Sequence, residues 1–201
     1  MTKKEPLKIG VTGGIGSGKS TICRIFEILG CPVYNSDQQA IHLIHNHPEI
    51  IEGYIKLFGK DVYNDGILNR KLVADKIFNE KQLLIEIQNL VHPIVRNDFN
   101  RWFAEQTSAA VINEAAILFE SGSYKQMDKI ISVIAPEQLR IDRVVKRDRV
   151  SPKEVTIRIK NQWTDDQRIP LSDYIIYADD QQLVTPQVIE IYEKMIETFT
   201  S

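Results

Sequence analysis

The sequence predicts an α/β fold carried on a mainly parallel five-stranded sheet, and three observations lead there. Short β-branched runs bounded by polar or turn residues recur along the 201 residues. Stretches with helical spacing separate them, so the connections between strands are crossovers and neighbouring strands run parallel. A composition of 43% hydrophobic and 26% charged residues is that of an ordinary globular domain, which excludes disordered, collagen-like and coiled-coil chains.

The first strand is read at 8–12, Lys-Ile-Gly-Val-Thr, and a glycine-rich turn follows it. Ile22, Ile25, Phe26 and Leu29 then share one helical face, and Gly30 stands where a helix C-terminus favours a residue without Cβ. The second strand is 32–34, Pro-Val-Tyr. From about 42 to 103 the rhythm breaks into a long, mostly helical insertion with no convincing strand. In it Leu84, Ile87 and Val91 form one stripe, Pro93 restarts the chain, and Val95, Phe99, Trp102 and Phe103 form another. Strands at 110–113, 129–134 and 173–177 complete the set. Pro136-Glu137 reads as the first turn of a helix, and Ser151-Pro152-Lys153-Glu154 as a capping box. The expected organisation is one domain over 1–201, with a core of 7–41 and 104–201, the insertion, and a charged helical lid over about 140–168.

Twenty-five Lys and Arg against 27 Asp and Glu leave a net charge of −2, too little positive charge for a large nucleic-acid footprint. Cys23 and Cys31 are too few for a disulfide scaffold and fit a reducing compartment. The residues from Met1 to Pro6 bring Lys3 and Lys4 but no apolar run of signal length, and no stretch approaches the ~18 apolar residues of a membrane span. The expectation is a soluble cytoplasmic protein, a monomer or small homo-oligomer, with neither membrane nor nucleic acid as a partner.

Gly13-Gly14-Ile15-Gly16-Ser17-Gly18-Lys19-Ser20 matches G-x-x-x-x-G-K-[ST] in full, after a strand and before a helix. The glycines let successive backbone N–H groups turn toward one anion, and the helix N-terminus adds partial positive charge. In such a P-loop Lys19 reaches the β- and γ-phosphates of a nucleotide such as ATP, the Ser20 hydroxyl ligates Mg²⁺, and Thr21 faces the α-phosphate side. A dinucleotide-binding loop is the other reading, but Lys19 stands where G-x-G-x-x-G needs its last glycine.

Asp37 follows the second strand, and the carboxyl ends of parallel strands line the ligand crevice. An acid there accepts a hydroxyl proton during phosphoryl transfer, or caps the helix that begins near Gln38. Arg140, Arg143 and Arg147 lie at i, i+3 and i+7, with Lys146 and Arg149 extending the cluster. They form either a mobile arginine lid over the travelling phosphoryl or a solvated charged face. Glu114 and Glu120 are placed to reach Mg²⁺ through water or to make structural hydrogen bonds. His92, before Pro93, suits a ligand contact or a cap on the next helix. His42, His45 and His47 lack the Cys or acid partners of a metal set. Cys23 reads as core.

These residues carry a resemblance. Val11-Thr12-Gly13-Gly14-Ile15-Gly16-Ser17-Gly18-Lys19-Ser20-Thr21 is similar to the phosphate loop of dephospho-CoA kinases, where T-G-G-I-G-S-G-K-S is characteristic. Gly66-Ile67-Leu68-Asn69-Arg70-Lys71-Leu72 with Phe78 resembles that family's G-x-L-[DN]-R-x-x-L…F, and His92-Pro93-Ile94 its H-P-x-I. Leu118-Phe119-Glu120 resembles the end of P-L-L-F-E. Gln138, Arg140, Arg143 and Arg147-Asp148 resemble its Q-x-x-R…R-D lid, and Gln162 with the run from Ser172 to Ile176 matches its late pattern. The resemblance implies a three-layer P-loop NTPase core with a helical substrate-binding insertion and a lid. It implies an enzyme that phosphorylates the ribose 3′-hydroxyl of dephospho-CoA with ATP and Mg²⁺, with Asp37 as the base and Lys19, Arg140 and Arg147 acting on the phosphoryl. The insertion would bind the acceptor: Arg70 meets its pyrophosphate, His92 lies in the same site, and Tyr54, Phe58, Tyr63, Phe78, Trp102 and Phe103 offer aromatic surface or simply core. The family's D-A-D-x-x-A-R reads here Asn35-Ser36-Asp37-Gln38-Gln39-Ala40-Ile41, so an acid and an arginine are missing. Ala116 replaces a proline, and Ala178-Asp179 stands where an asparagine often follows the last strand.

Two other functions compete. Another small-metabolite or nucleoside P-loop kinase differs only in its acceptor. A regulatory GTP switch needs N-K-x-D and D-x-x-G, and neither string occurs.

Overall fold

β1 (Leu7–Thr12) buries Ile9 and Val11 completely, as a central strand covered on both faces must. The computed structural model describes residues 5–200, which divide into two units: those up to Asn35 with those from Glu105 onward, and Ser36–Ala104. α1 (Lys19–Ile28) and β2 (Val33–Asn35) follow β1. The second unit then runs through α2 (Ser36–Asn46), α3 (Pro48–Phe58), β3 (Tyr63–Asn64), β4 (Ile67–Leu68), α4 (Arg70–Asn79) and α5 (Gln82–Ala104). The first resumes with β5 (Ala110–Glu114), β6 (Lys129–Ile134), α6 (Glu137–Asp148), α7 (Pro152–Lys160), α8 (Asp165–Arg168), β7 (Tyr174–Tyr177) and α9 (Val184–Thr200).

In the first unit the strands pair in the order β2-β5-β1-β6-β7, all parallel, with Ile9 opposite Ile112, Asn35 opposite Glu114 and Ile134 opposite Tyr177. This is the α/β class expected from the sequence, with each expected strand present. Ile22 and Phe26 of α1 join Val188, Ile191 and Met195 of α9 in one core with Ile9, Ile131 and Val133. Each large apolar side chain so buried contributes roughly 1.5–3 kcal/mol. Parallel pairing has a functional consequence: the turn after Thr12, Glu114 and the start of α6 all come to the carboxyl edge of one sheet. The capping box of α7 forms as expected, with Ser151 N–H donating to Glu154 Oε2 at 2.9 Å and Glu154 N–H to Ser151 Oγ at 3.3 Å. Ile141, Val144 and Val155 join α6 to α7, and Ile15 of the glycine turn packs against them.

The second unit has its own core. Ile50, Tyr54 and Phe58 recur every four residues on α3 and pack with Val62, Leu83, Ile87 and Val91. Tyr54 and Phe58 are therefore core, whereas Phe78 is 86% exposed. Three expectations change here. α5 is continuous with Pro93 inside it, so Pro93 does not restart the chain. The missing N–H and the ring cost a helix about 3 kcal/mol, and burial of Ile87, Val91, Ile94 and Phe99 on both sides of the proline outweighs it. The buried stripe uses Leu83, four residues before Ile87, and leaves Leu84 43% exposed. Finally, β3 and β4 make a small antiparallel hairpin where no strand was expected. Asp65 and Gly66 turn it with φ of 48° and 76°, the two positive values of a type I′ turn. No helix among the described residues is long and apolar enough to cross a membrane.

Candidate active site

Local hydrogen bonds shape the turn after β1. Ser17 N–H donates to the Gly14 carbonyl at 3.1 Å, and Thr21 N–H donates to the Gly18 carbonyl at 3.0 Å as α1 begins. From outside, the Gln162 side-chain oxygen accepts the Ile15 N–H at 2.8 Å and ties the turn to the segment after α7. Lys19 Nζ donates back to the carbonyls of Gly13 at 2.9 Å and Gly14 at 3.4 Å. An ammonium and a helix N-terminus thus share one concave stretch of backbone, which attracts an anion.

Two of the glycines are required by what lies over them. α6 crosses Gly16 so closely that a Cβ there would sit 2.5 Å from the Arg140 carbonyl oxygen, and its φ is +79°. At Gly14 the obstacle is a side chain: a Cβ would collide with Nη1 of Arg140.

On the other side of the turn, Ser20 Oγ donates to Glu114 Oε1 at 2.7 Å, and Asn35 Nδ2 donates to Glu114 Oε2 at 2.9 Å. The strand register brings the three together, since Glu114 stands opposite both Val11 and Asn35. Glu114 is only 6% exposed, so both oxygens need these donors. Burial, and then the Glu114 carboxylate, push the Cys23 thiol well above its ordinary value, and burial pushes Cys31 up to about 11. Both cysteines remain thiols in the core, as read for Cys23. The donor set beside Ser20 is hydroxyl and carboxylate oxygen, the hard chemistry that suits Mg²⁺.

The arginines of α6 separate. Arg140 is 8% exposed, lies against Gly14, and its Nε has no hydrogen-bond partner among the described residues. Arg143 reaches the carbonyls of Gly16 and Ser17, both at 3.4 Å. Arg147 is not brought to the turn; it is 63% exposed and grips Asp148 through Nε at 2.7 Å and Nη2 at 3.1 Å. Arg143 and Thr21 also line a cavity of about 470 Å³ with Gly18, Ile22, Ala178 and Leu183. Glu120 is structural: Oε1 accepts the Trp163 N–H at 2.8 Å and lies 3.8 Å from Arg168. Arg168 is wholly buried and paired with Asp165 at 3.0 Å.

Asp37, Arg70 and His92 belong to the second unit. Asp37 is exposed in the first turn of α2, which begins at Ser36, one residue beyond β2. It lies inside the helix and is not its cap residue. Arg70 is the first residue of α4, whose N-cap Asn69 accepts from Leu72 N–H at 3.1 Å. It is exposed, so the cost of a buried arginine does not bear on its role. His92 sits in the middle of α5 and caps nothing. Burial, and then Arg96 beside it, hold its imidazole below the ordinary value. In the sequence Glu114 carries two readings, Arg143 is one member of a cluster, and no local pattern marks Asp180 or Arg168. The Ser20–Glu114 pair had a signal, an acid ending the strand that pairs with β1.

The model of a family described as dephospho-CoA kinase matches residues 7–184. A dephospho-CoA kinase of Chlorobium luteolum is 40% identical over 187 residues, covering 89% of this chain and 85% of that protein. A crystal structure from Thermus thermophilus superposes with a TM-score of 0.82 at 27% identity, covering 98% of this chain and 100% of that one. A dephospho-CoA kinase structure from Campylobacter jejuni shares the fold with a TM-score of 0.68 at 22% identity, covering 94% and 96%.

Proposed function

The chain belongs to the dephospho-CoA kinase family, and from that premise we propose how its residues divide the reaction. The reaction itself is the transfer of the γ-phosphate of ATP to the ribose 3′-hydroxyl of dephospho-CoA, giving CoA and ADP. The observation that carries the division is the Lys19 turn flanked by the Ser20–Glu114 pair on one side and by buried Arg140 on the other.

The backbone from Gly14 to Ser20, with Thr21 behind it, holds the phosphates, and Lys19 neutralises the β- and γ-oxygens. Arg140 places its charge on the moving phosphoryl, and Arg147 joins it only by leaving Asp148 when the segment 140–168 closes as a lid. Mg²⁺ would be held by Ser20, supported by Glu114, and would supply positive charge to the phosphates. Asp37 takes the proton of the 3′-hydroxyl as the new O–P bond forms and ADP leaves. The helical unit binds the acceptor, with Arg70 on its pyrophosphate and His92 as a neutral contact. The enzyme works in the cytoplasm as a monomer or small homo-oligomer, with neither membrane nor nucleic acid.

A coupled assay of ADP formation across dephospho-CoA, adenosine and shikimate tests the reading. Turnover confined to dephospho-CoA supports it. Comparable turnover on either of the others would move the chain to a different acceptor.

A further inference from the structure

We propose that Gln162 is a positioning residue that presets Lys19 for the phosphates by fixing the Gly14–Ile15 peptide unit of the glycine turn. The proposal rests on the nucleotide reading of that turn and extends it to a residue to which no step of the reaction has been given.

The two polar groups of that unit have different partners. The Gly14 carbonyl accepts from Ser17 N–H at 3.1 Å and from Lys19 Nζ at 3.4 Å. The Ile15 N–H donates to Gln162 Oε1 at 2.8 Å, the shortest of the three bonds. The described residues contain no cis peptide bond, so the C=O and N–H of this unit point in opposite directions. The carbonyl therefore faces the ammonium while the N–H faces Gln162. Residue 14 has no Cβ, so rotation of the unit about its ψ meets little local resistance. What holds the orientation is the bond at the outer end.

Gln162 has a firm base for this. Its Nε2 donates to the Ala116 carbonyl at 3.4 Å, in the segment that follows β5. The next residue, Trp163, donates its N–H to Glu120 Oε1 at 2.8 Å, and its ring lies parallel to that of Phe119 with centroids 5.6 Å apart. Phe119 is itself buried with Leu118 and Ile130. One side-chain amide thus connects the glycine turn to the segment that continues from Glu114, the acid that accepts from Ser20. Packing alone would not achieve this. Ile141, Val144 and Val155 cover the Ile15 side chain, but an apolar contact does not set the direction of an N–H. With the unit held, the Gly13 and Gly14 carbonyls already surround the Lys19 ammonium when a nucleotide arrives, and less ordering is left for binding to impose.

The Kd for ADP, measured by calorimetry without dephospho-CoA, tests this in the wild type, Gln162→Met, Lys19→Ala and the double variant. Methionine keeps the length and bulk of glutamine without its acceptor oxygen. Gln162→Met should weaken ADP about fivefold, the scale of one net hydrogen bond. In the Lys19→Ala background the same change should weaken it less than about twofold, because the effect passes through Lys19. Amide exchange without nucleotide is the second readout. Exchange over the turn should quicken in Gln162→Met while β5 and α9 keep their protection, and Gln162→Glu, which retains an oxygen for the Ile15 N–H, should keep the turn protected. If Gln162→Met leaves ADP binding unchanged, or weakens it equally with and without Lys19, the proposal falls and the nucleotide reading stands. Exchange as fast in Gln162→Glu as in Gln162→Met would also overturn it, since the acceptor oxygen is then not what holds the turn. If Lys19→Ala binds ADP as tightly as the wild type, the nucleotide reading falls and the proposal with it.

Discussion

The guanidinium of Arg140 occupies the space that any side chain at Gly14 would need. An arginine end and a loop backbone share one contact, so the glycine reserves a place for a charge. This separates two substitutions that look alike. Gly14→Ala meets only the end of a flexible side chain, which can swing away, so the fold should survive. The displaced charge should lower kcat about 10²-fold, as loss of a single electrostatic contact in a transition state does. Gly16→Ala meets the backbone of α6 at a positive φ and should instead cost about 1–3 kcal/mol of stability. Steady-state kinetics and urea unfolding on both variants check the contrast, and full kcat in Gly14→Ala would remove Arg140 from the reaction.

Asp37→Asn keeps the shape of the side chain in the first turn of α2 but cannot take a proton. It should lower kcat by ~10²–10⁴, with the KM for ATP within about twofold. A fall in kcat of less than about threefold would show that Asp37 is not the base.

Glu114→Gln keeps one acceptor oxygen for Ser20 or Asn35 and loses the charge. If Glu114 stands behind a bound Mg²⁺, the Mg²⁺ concentration for half-maximal rate should rise about tenfold, the usual scale for such a supporting group. An unchanged Mg²⁺ requirement with reduced thermal stability would make Glu114 only a strut between β2, β5 and α1.

His92 gives a pH dependence whose sign is set by its environment. Burial and Arg96 hold the folded imidazole below the ~6.5 of an unfolded chain. Below about pH 6.5 the unfolded chain therefore binds a proton that the folded one refuses, and stability falls with pH until the folded value is passed. Above that pH the effect is absent. Urea unfolding from pH 7.5 down to 5 should show this slope in the wild type and a shallower one in His92→Gln. Equal slopes would mean that His92 is not held neutral by the fold.

What the sequence revealed depended on how local each cause was. β1, β5 and β6 were legible because strands buried on both faces need near-continuous apolar runs, and the phosphate turn because its glycines and Lys19 have fixed spacing. α5 was misread at Pro93 because the burial of Ile87, Val91 and Ile94 overrides a local helix breaker, and only the packed unit reveals that burial. The Asp65-Gly66 turn carried a plain hairpin signal, but strands of two residues leave no alternation to flank it. Partners distant in sequence were hardest. Ser20 and Glu114 are 94 residues apart and Arg143 and Asp180 37 apart, and no periodicity links them. Arg168, in the polar run Asp-Asp-Gln-Arg, reads as solvated, yet Asp165 and Glu120 carry it into the interior.

The order of the strands also governs how the chain is made. β1 has as neighbours β5 and β6, with Leu7 opposite Ala110 and Ile9 opposite Lys129. β1 therefore has no partner until about a hundred residues later, a wait on the order of ten seconds at usual rates of synthesis. During that wait the helical unit Ser36–Ala104 is complete and can close its own core from contacts near in sequence, while Ile9, Val11 and Phe26 stay uncovered. Pairing β1 with β5 closes a long loop, at a larger entropy cost than the local contacts of the helical unit. β7 is in the opposite position, since β6 is made before it. A lesion in β1 is thus exposed to aggregation until β5 is made, and one of equal cost in β7 meets a partner strand already present.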